Sequence, residues 1–171
     1  MIRKIISGGQ TGVDQAALEV AIKLNIPHGG WCPKGRIAEN GTIPRKYLVV
    51  ETESSDYSVR TKLNIRDSDG TLVLLPSSTK KITNGTMLTI QEAKEKKKPL
   101  LIIDLSRNPD IESMTKWIRT NNIEALNIAG PRESQSPGIN KLSVLFLEKA
   151  IASILLNNHG GPQKKFFQAK L

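Results

Sequence analysis

Leu72-Val73-Leu74-Leu75, closed by Pro76, and Leu100-Leu101-Ile102-Ile103, opened by Pro99, are the two stretches that decide the fold. Neither alternates apolar with polar residues, which is the pattern of a strand with one wet face. Both are short and unbroken, as in strands of a parallel sheet covered by helices on both sides. Working outward, Ile2 to Ile6 at the start and Leu126 to Ala129 before Gly130-Pro131 read as further strands, and His28 to Trp31 as a weaker one. Helical spacing fills the intervals. Ala16, Ala17, Val20, Ala21 and Leu24 share one face; Met87, Leu88, Ile90, Gln91 and Ala93 form a second segment, and Met114, Trp117 and Ile118 a third. Leu142, Leu145, Phe146, Lys149, Ile151 and Leu155 mark a long last helix, whose wide apolar arc suits deep burial or a subunit contact. Strand–helix–strand alternation predicts an α/β protein: a single Rossmann-like doubly wound domain, its mainly parallel sheet flanked by helices.

A chain of 171 residues is the size of one such domain. Its charged fraction of 24% and apolar fraction of 38% exclude disorder and a collagen-like repeat. No apolar run approaches the roughly 20 residues that span a bilayer. The first residues lack the apolar core and cleavage site of a signal peptide, and Cys32 is the single cysteine, so a cytoplasmic address is expected, with neither a disulfide framework nor a cysteine-based metal cluster. The unusual bulk property is a net charge of +9. It points to an anionic partner, but its distribution matters. Lys94, Lys96, Lys97 and Lys98 end a helix before Pro99, where cations complement the dipole, and Lys164, Lys165 and Lys170 fall near the C-terminus. With seven aromatic residues there is little material for stacking bases, so nucleic acid is not the expected partner.

In open α/β sheets ligands sit beyond the carboxyl ends of the strands. Ser7-Gly8-Gly9-Gln10-Thr11-Gly12-Val13-Asp14 joins the first strand to a helix, and its glycines let successive amides converge on an anion beside the positive end of that helix, with Asp14 placed to cap it. Gly29-Gly30-Trp31-Cys32-Pro33-Lys34-Gly35 offers a stacking face and a charge. Arg66-Asp67-Ser68-Asp69 precedes the next strand, and Tyr57, Arg60 and Asn64 before it are at near-helical spacing. Asn84-Gly85-Thr86 is a second helix start suited to an anion, and Arg132 in Ala129-Gly130-Pro131-Arg132-Glu133-Ser134 can clamp a phosphate with two bonds. No nucleophile–base pair and no metal-ligand spacing emerges, so the loops describe a binding protein better than a hydrolase.

Four of these stretches, 7–14, 28–35, 64–69 and 129–134, resemble in their order the molybdenum cofactor (Moco) carrier protein family, from about Ile5 to near Leu155. The resemblance implies a Rossmann-like domain over 1–157, of the superfamily of lysine-decarboxylase-like and SLOG proteins, with 158–171 a C-terminal basic tail. It implies a homo-oligomer, dimer or tetramer, that binds and transfers or stores molybdenum cofactor as cargo without chemical turnover, exchanging it with molybdenum enzymes or cofactor-synthesis proteins. The cargo-binding residues expected on this basis are Gly8, Gly9, Gln10, Thr11, Gly12, Trp31, Lys34, Gly35, Arg66, Ser68, Asp69, Asn84, Gly85, Thr86, Arg132 and Ser134; no catalytic residue and no protein metal ligand is expected. Phosphoribohydrolase relatives carry a Pro-Gly-Gly-x-Gly-Thr-x-x-Glu loop. Laid on Gly85-Thr86-Met87-Leu88-Thr89, it puts Thr89 where the glutamate belongs, with Glu92 the next acid on that face, so an enzyme or a nucleotide sensor is the alternative.

Overall fold

The computed structural model describes residues 1–77 and 82–159. In chain order the elements are β1 (Lys4–Ile6), α1 (Val13–Lys23), β2 (His28–Gly29), β3 (Trp31–Cys32), β4 (Ile37–Ala38), β5 (Gly41–Thr42), β6 (Val50–Glu51), α2 (Tyr57–Arg66), β7 (Gly70–Leu75), α3 (Asn84–Glu95), β8 (Leu100–Asp104), α4 (Ile111–Thr120), β9 (Ala125–Ala129) and α5 (Ile139–His159). Five strands form one sheet in the order β2-β1-β9-β7-β8, every neighbouring pair parallel. Of the two unbroken apolar runs, β7 is covered on both faces as expected, whereas β8, at the sheet edge, is only partly covered and leaves Ile102 exposed. All of β7 is buried; Leu72 and Leu74 join a core with Val13, Ala17, Met114 and Leu147, whereas Val73 and Leu75 pack with Ile90 of α3. Helices α1, α4 and α5 therefore cover one face and α3, with α2 beside it, the other.

The strand order carries the functional information. If the chain is read from β9 onward through β1, β2, β7 and β8, the sheet acquires the order 3-2-1-4-5 of a Rossmann domain. The first Rossmann strand is thus β9, not the N-terminal β1, and the order reverses between β9 and its neighbour β7. The loops after these two strands frame the crevice where such folds bind ligands.

An appendage between β3 and α2 has no counterpart in the sequence reading, because paired strands of two residues carry no pattern. Its own core of Cys32, Ala38, Ile43, Tyr47 and Val49 packs on Leu18 of α1. The Arg36 guanidinium ties it together by donating to the carbonyls of Ile43, Pro44, Tyr47 and Val49. The lysine run ends α3 as expected, and Lys98 adds a tie of its own: its Nζ donates to the carbonyls of Ile65, Arg66 and Ser68 at the C-terminus of α2. Helix α5 continues through His159, past the expected boundary at 157; the rest of the expected tail, with Lys164, Lys165 and Lys170, lies outside the described residues.

Candidate functional site

Among the helices that begin at the carboxyl end of the sheet, α1, α3 and α5 follow β1, β7 and β9, and their N-termini differ in what already occupies them. At α1 the N-cap is Gly12, with no side-chain cap; Asp14 does not cap the helix as expected but lies within its first turn. Its carboxylate instead receives Arg60 Nη1 at 2.9 Å and, more weakly, the Gln10 amide at 3.4 Å. The Thr11 amide donates to Gln10 Oε1 at 3.0 Å and the Val13 amide to the Pro131 carbonyl at 3.3 Å. The glycines here serve close packing: a Cβ on Gly8 would overlap the Arg60 guanidinium, and one on Gly12, whose φ is +76°, would run into the Pro131 carbonyl. At α5 the Glu133 carboxylate accepts from the amides of Gly138 at 2.5 Å and Asn140 at 3.0 Å, so the helix that follows the first Rossmann strand is capped by its own acid.

Helix α3 is the open one. Its N-cap, Thr83, makes no capping bond through its side chain to the backbone, donating instead to Thr86 Oγ1 at 3.0 Å, and Gly85 has open space over its α-carbon. Gly85 and Thr86 of its first turn, where helix geometry leaves amides over, line a cavity at the strand-order reversal. Gln10, Asp14 and Arg60 line it from one side, Gly85, Thr86 and Thr89 from α3, and Gly130, Arg132 and Gln135 from the β9 loop. Its volume is about 50 Å³, room for a small group such as a tetrahedral oxyanion.

Two residues that line this cavity carry buried donors without acceptors. Gln10 is 5% exposed, and its Oε1 is engaged by the Thr11 and Glu39 amides, which fixes the flip of the side chain and leaves the buried Nε2 without a partner. Arg60 Nε is likewise buried and unpartnered while Nη1 holds Asp14. Orphaned donors of this kind are costly in a native structure unless something fills them. The rings and charges around them are ordered: Arg60 and Arg132 both approach the Tyr57 ring, at 5.9 and 5.5 Å from its centre. Burial pushes the Asp14 carboxyl above its ordinary value, more strongly than the Arg60 charge pulls it down.

The structure thus brings together Gln10, Gly85, Thr86 and Arg132 of the expected set, with Asn84 beside them at the helix start and Gly8 beneath Arg60. Thr11 and Ser134 meet close by on a carboxylate the sequence did not single out, Glu39 at the β4–β5 turn, and Gly9 packs against Ile43. Burial pushes the Glu39 carboxyl up, but hydrogen bonds from Ser134 and Thr11 outweigh it and hold the group below its ordinary value. Trp31, Lys34 and Gly35 stand apart in the appendage. The Trp31 indole donates to Asp67 at 2.7 Å, the exposed Lys34 is held by its amide on the Ser54 carbonyl, and the Gly35 amide donates to Glu51. Arg66, Ser68 and Asp69 lie at the amino end of β7, opposite the cavity. Ser68 bonds the Ile65 carbonyl, and Asp69 accepts from the amides of Glu124 and Ala125 at the start of β9. Asp14, Arg60, Thr83 and Gln135 complete the cavity. Of these, Arg60 left a trace in the sequence, its helical spacing from Tyr57, while Asp14 and Glu39 gain their roles only through residues 46 and 95 positions away. Thr89 donates to the Gly85 carbonyl; Glu92 is buried, lies 3.9 Å from Lys96 Nζ and is not part of the cavity wall. Cys32 is buried, and burial pushes its thiol up, away from reactivity.

A parallel sheet in permuted Rossmann order, with its candidate site at the switch point, defines a Rossmann-like α/β protein. The chain belongs to the circularly permutated YpsA SLOG family, whose pattern it matches over residues 5–151. It is similar to a solved structure from Syntrophus aciditrophicus SB described as "Putative molybdenum carrier protein", at 48% identity over 86% of this chain and 93% of that one, with a TM-score of 0.79. No curated protein matches it. Among the described residues no helix is long and apolar enough to cross a membrane, and no group of three or more His, Cys, Asp or Glu is placed to hold a metal ion.

Proposed function

We propose that this protein binds the molybdenum cofactor reversibly, as cargo, and protects and hands it on without transforming it. The observation that carries the reading is the pair of unfilled donors, Gln10 Nε2 and Arg60 Nε, set against the uncapped start of α3 in a cavity of oxyanion size. The terminal phosphate of a molybdopterin-type cargo supplies the acceptors these donors lack, with Thr86 and Arg132 adding a hydroxyl and a charge. The ring system of such a cargo stays outside this seat, over the mouth of the cavity. The likeness to a protein described as a molybdenum carrier supports this choice of cargo over other phosphate esters.

Two observations favour carriage over turnover. The carboxylate that lines the cavity, Asp14, is already bound by Arg60, and the position of the phosphoribohydrolase glutamate is Thr89. A cytoplasmic carrier that exchanges cargo with molybdenum enzymes or cofactor-synthesis proteins also needs surfaces for partners or copies of itself. The half-exposed Leu142 and Leu145 of α5, lining an apolar groove with Leu105 and Pro109, support a homo-oligomer. The test is calorimetric titration with molybdopterin, AMP and inorganic phosphate at two salt concentrations, with parallel assay of AMP for released base. Preference for molybdopterin with no free base is the expected outcome. Release of base from AMP, or binding that follows charge alone, overturns the reading.

A further inference from the structure

The turn between β4 and β5 lies across the loops that follow β1 and β9, and the side chain that anchors it is an acid. Glu39 Oε1 accepts from Thr11 Oγ1 and from the Ser134 amide at 3.0 Å; Oε2 accepts from Ser134 Oγ and lies 3.9 Å from Arg132 Nε. The Thr11 hydroxyl is oriented for this, since its oxygen accepts from the Glu133 amide at 3.2 Å. Two hydroxyls, a main-chain amide and a guanidinium thus converge from two loops on one carboxylate. That is the donor set of an oxyanion site, filled by the chain itself. Beyond the carboxylate, the Glu39 amide bonds Gln10 Oε1 at 2.9 Å. Arg132 belongs to this cluster and also lines the cavity at α3, so the two positions are adjacent.

We propose that Glu39 is a stand-in anion: Thr11, Arg132 and Ser134 form a second oxyanion subsite, latched by the Glu39 carboxylate and opened when a second acidic group of a ligand displaces it. The ligand class this fits carries two oxyanions, one for the cavity at α3 and one for the latch. The inference rests on the proposed phosphate seat only for the position of the first. Displacement frees the hairpin turn from both loops and exchanges one oxyanion for another at the same donors.

The test uses the full chain and two substitutions. In Glu39→Ala the vacated donors should bind acetate: the thermal midpoint rises saturably by several degrees with acetate, not with chloride at equal ionic strength, and the unsubstituted protein shows no such rise. Glu39→Gln keeps the shape but weakens the hold, so pyrophosphate should bind it roughly fivefold or more tightly than the unsubstituted protein, while orthophosphate affinity changes by less than about twofold. Acetate acting no better than chloride on Glu39→Ala, or pyrophosphate binding Glu39→Gln no more tightly, overturns the proposal. If Glu39→Ala does not fold, the pyrophosphate comparison decides alone. If orthophosphate binds no form of the protein, the seat at α3 fails, and the acetate response still decides the latch.

Discussion

Helices α3 and α5 start at the same end of the sheet, after neighbouring strands, and turn the positive ends of their dipoles toward one crevice. At α5, Glu133 folds back onto the amides of Gly138 and Asn140. At α3 no side chain among the described residues caps the helix, Gly85 leaves open space and two buried donors nearby have no acceptor. In an unpermuted Rossmann domain the helix after the first strand takes the phosphate; here that helix is sealed and the one across the reversal is vacant. The contrast shows that a glycine-rich loop before a helix is not by itself an anion site. What matters is whether the chain has supplied its own acid.

Four substitutions and conditions would break or sharpen this contrast. Arg60→Met should have the largest effect. It leaves the Asp14 carboxylate buried without its cation, so denaturant unfolding should show a loss of about 3 kcal/mol, and phosphate affinity by calorimetry should fall roughly tenfold to a hundredfold with the loss of a charged donor. Unchanged phosphate binding would place the anion elsewhere. Glu133→Gln removes the acid from α5 and should cost about 1 kcal/mol, as for other helix caps; phosphate affinity at α3 should stay the same, and a gain in it would mean that α5 is the true seat. Gly85→Asp copies onto α3 what Glu133 does at α5. It should stabilise the protein by about 0.5 kcal/mol and abolish phosphate binding, both measurable on one preparation.

The smallest effect concerns acid. Because the folded state holds Glu39 below its ordinary value of 4.5, its docking stabilises the protein fully above that pH and is lost as pH falls through the depressed value. Asp14 has the opposite sign: with its folded value raised, its contribution is greatest at low pH and shrinks as pH rises through that value. Thermal midpoints of Glu39→Gln should therefore fall less steeply on acidification than those of the unsubstituted protein. Parallel curves would show that the turn is held by its backbone alone.

Much of the architecture was legible from local pattern. The unbroken run at Leu72–Leu75 announces a strand covered on both faces, because a buried parallel strand has no wet side to encode; the run at Leu100–Ile103 is a strand too, but at the sheet edge it is only partly covered and Ile102 is exposed. The alanine face of α1 and the Asn84-Gly85-Thr86 start of α3 were also readable, since helix periodicity and helix starts are properties of a few consecutive residues. The order of strands was not: β9 enters between β1 and β7, and nothing in its five residues says so. The loop at Gly8–Gly12 looked like the site because its glycines and helix start are local, yet their use was settled by distant groups, Arg60 over Gly8 and Pro131 over Gly12.

The sequence by itself determined the kind of sheet, the presence of most helices and which loops are rich in donors, since these follow from spacing along the chain. Only the tertiary structure decided which donors are free. Glu133 and Glu39 claim theirs across 5 and 95 positions, and Gln10 Nε2 and Arg60 Nε are left over because residues from separate elements close around them. Whether a hydrogen-bonding group is satisfied depends on everything that packs against it, and that is a property of the fold rather than of any segment.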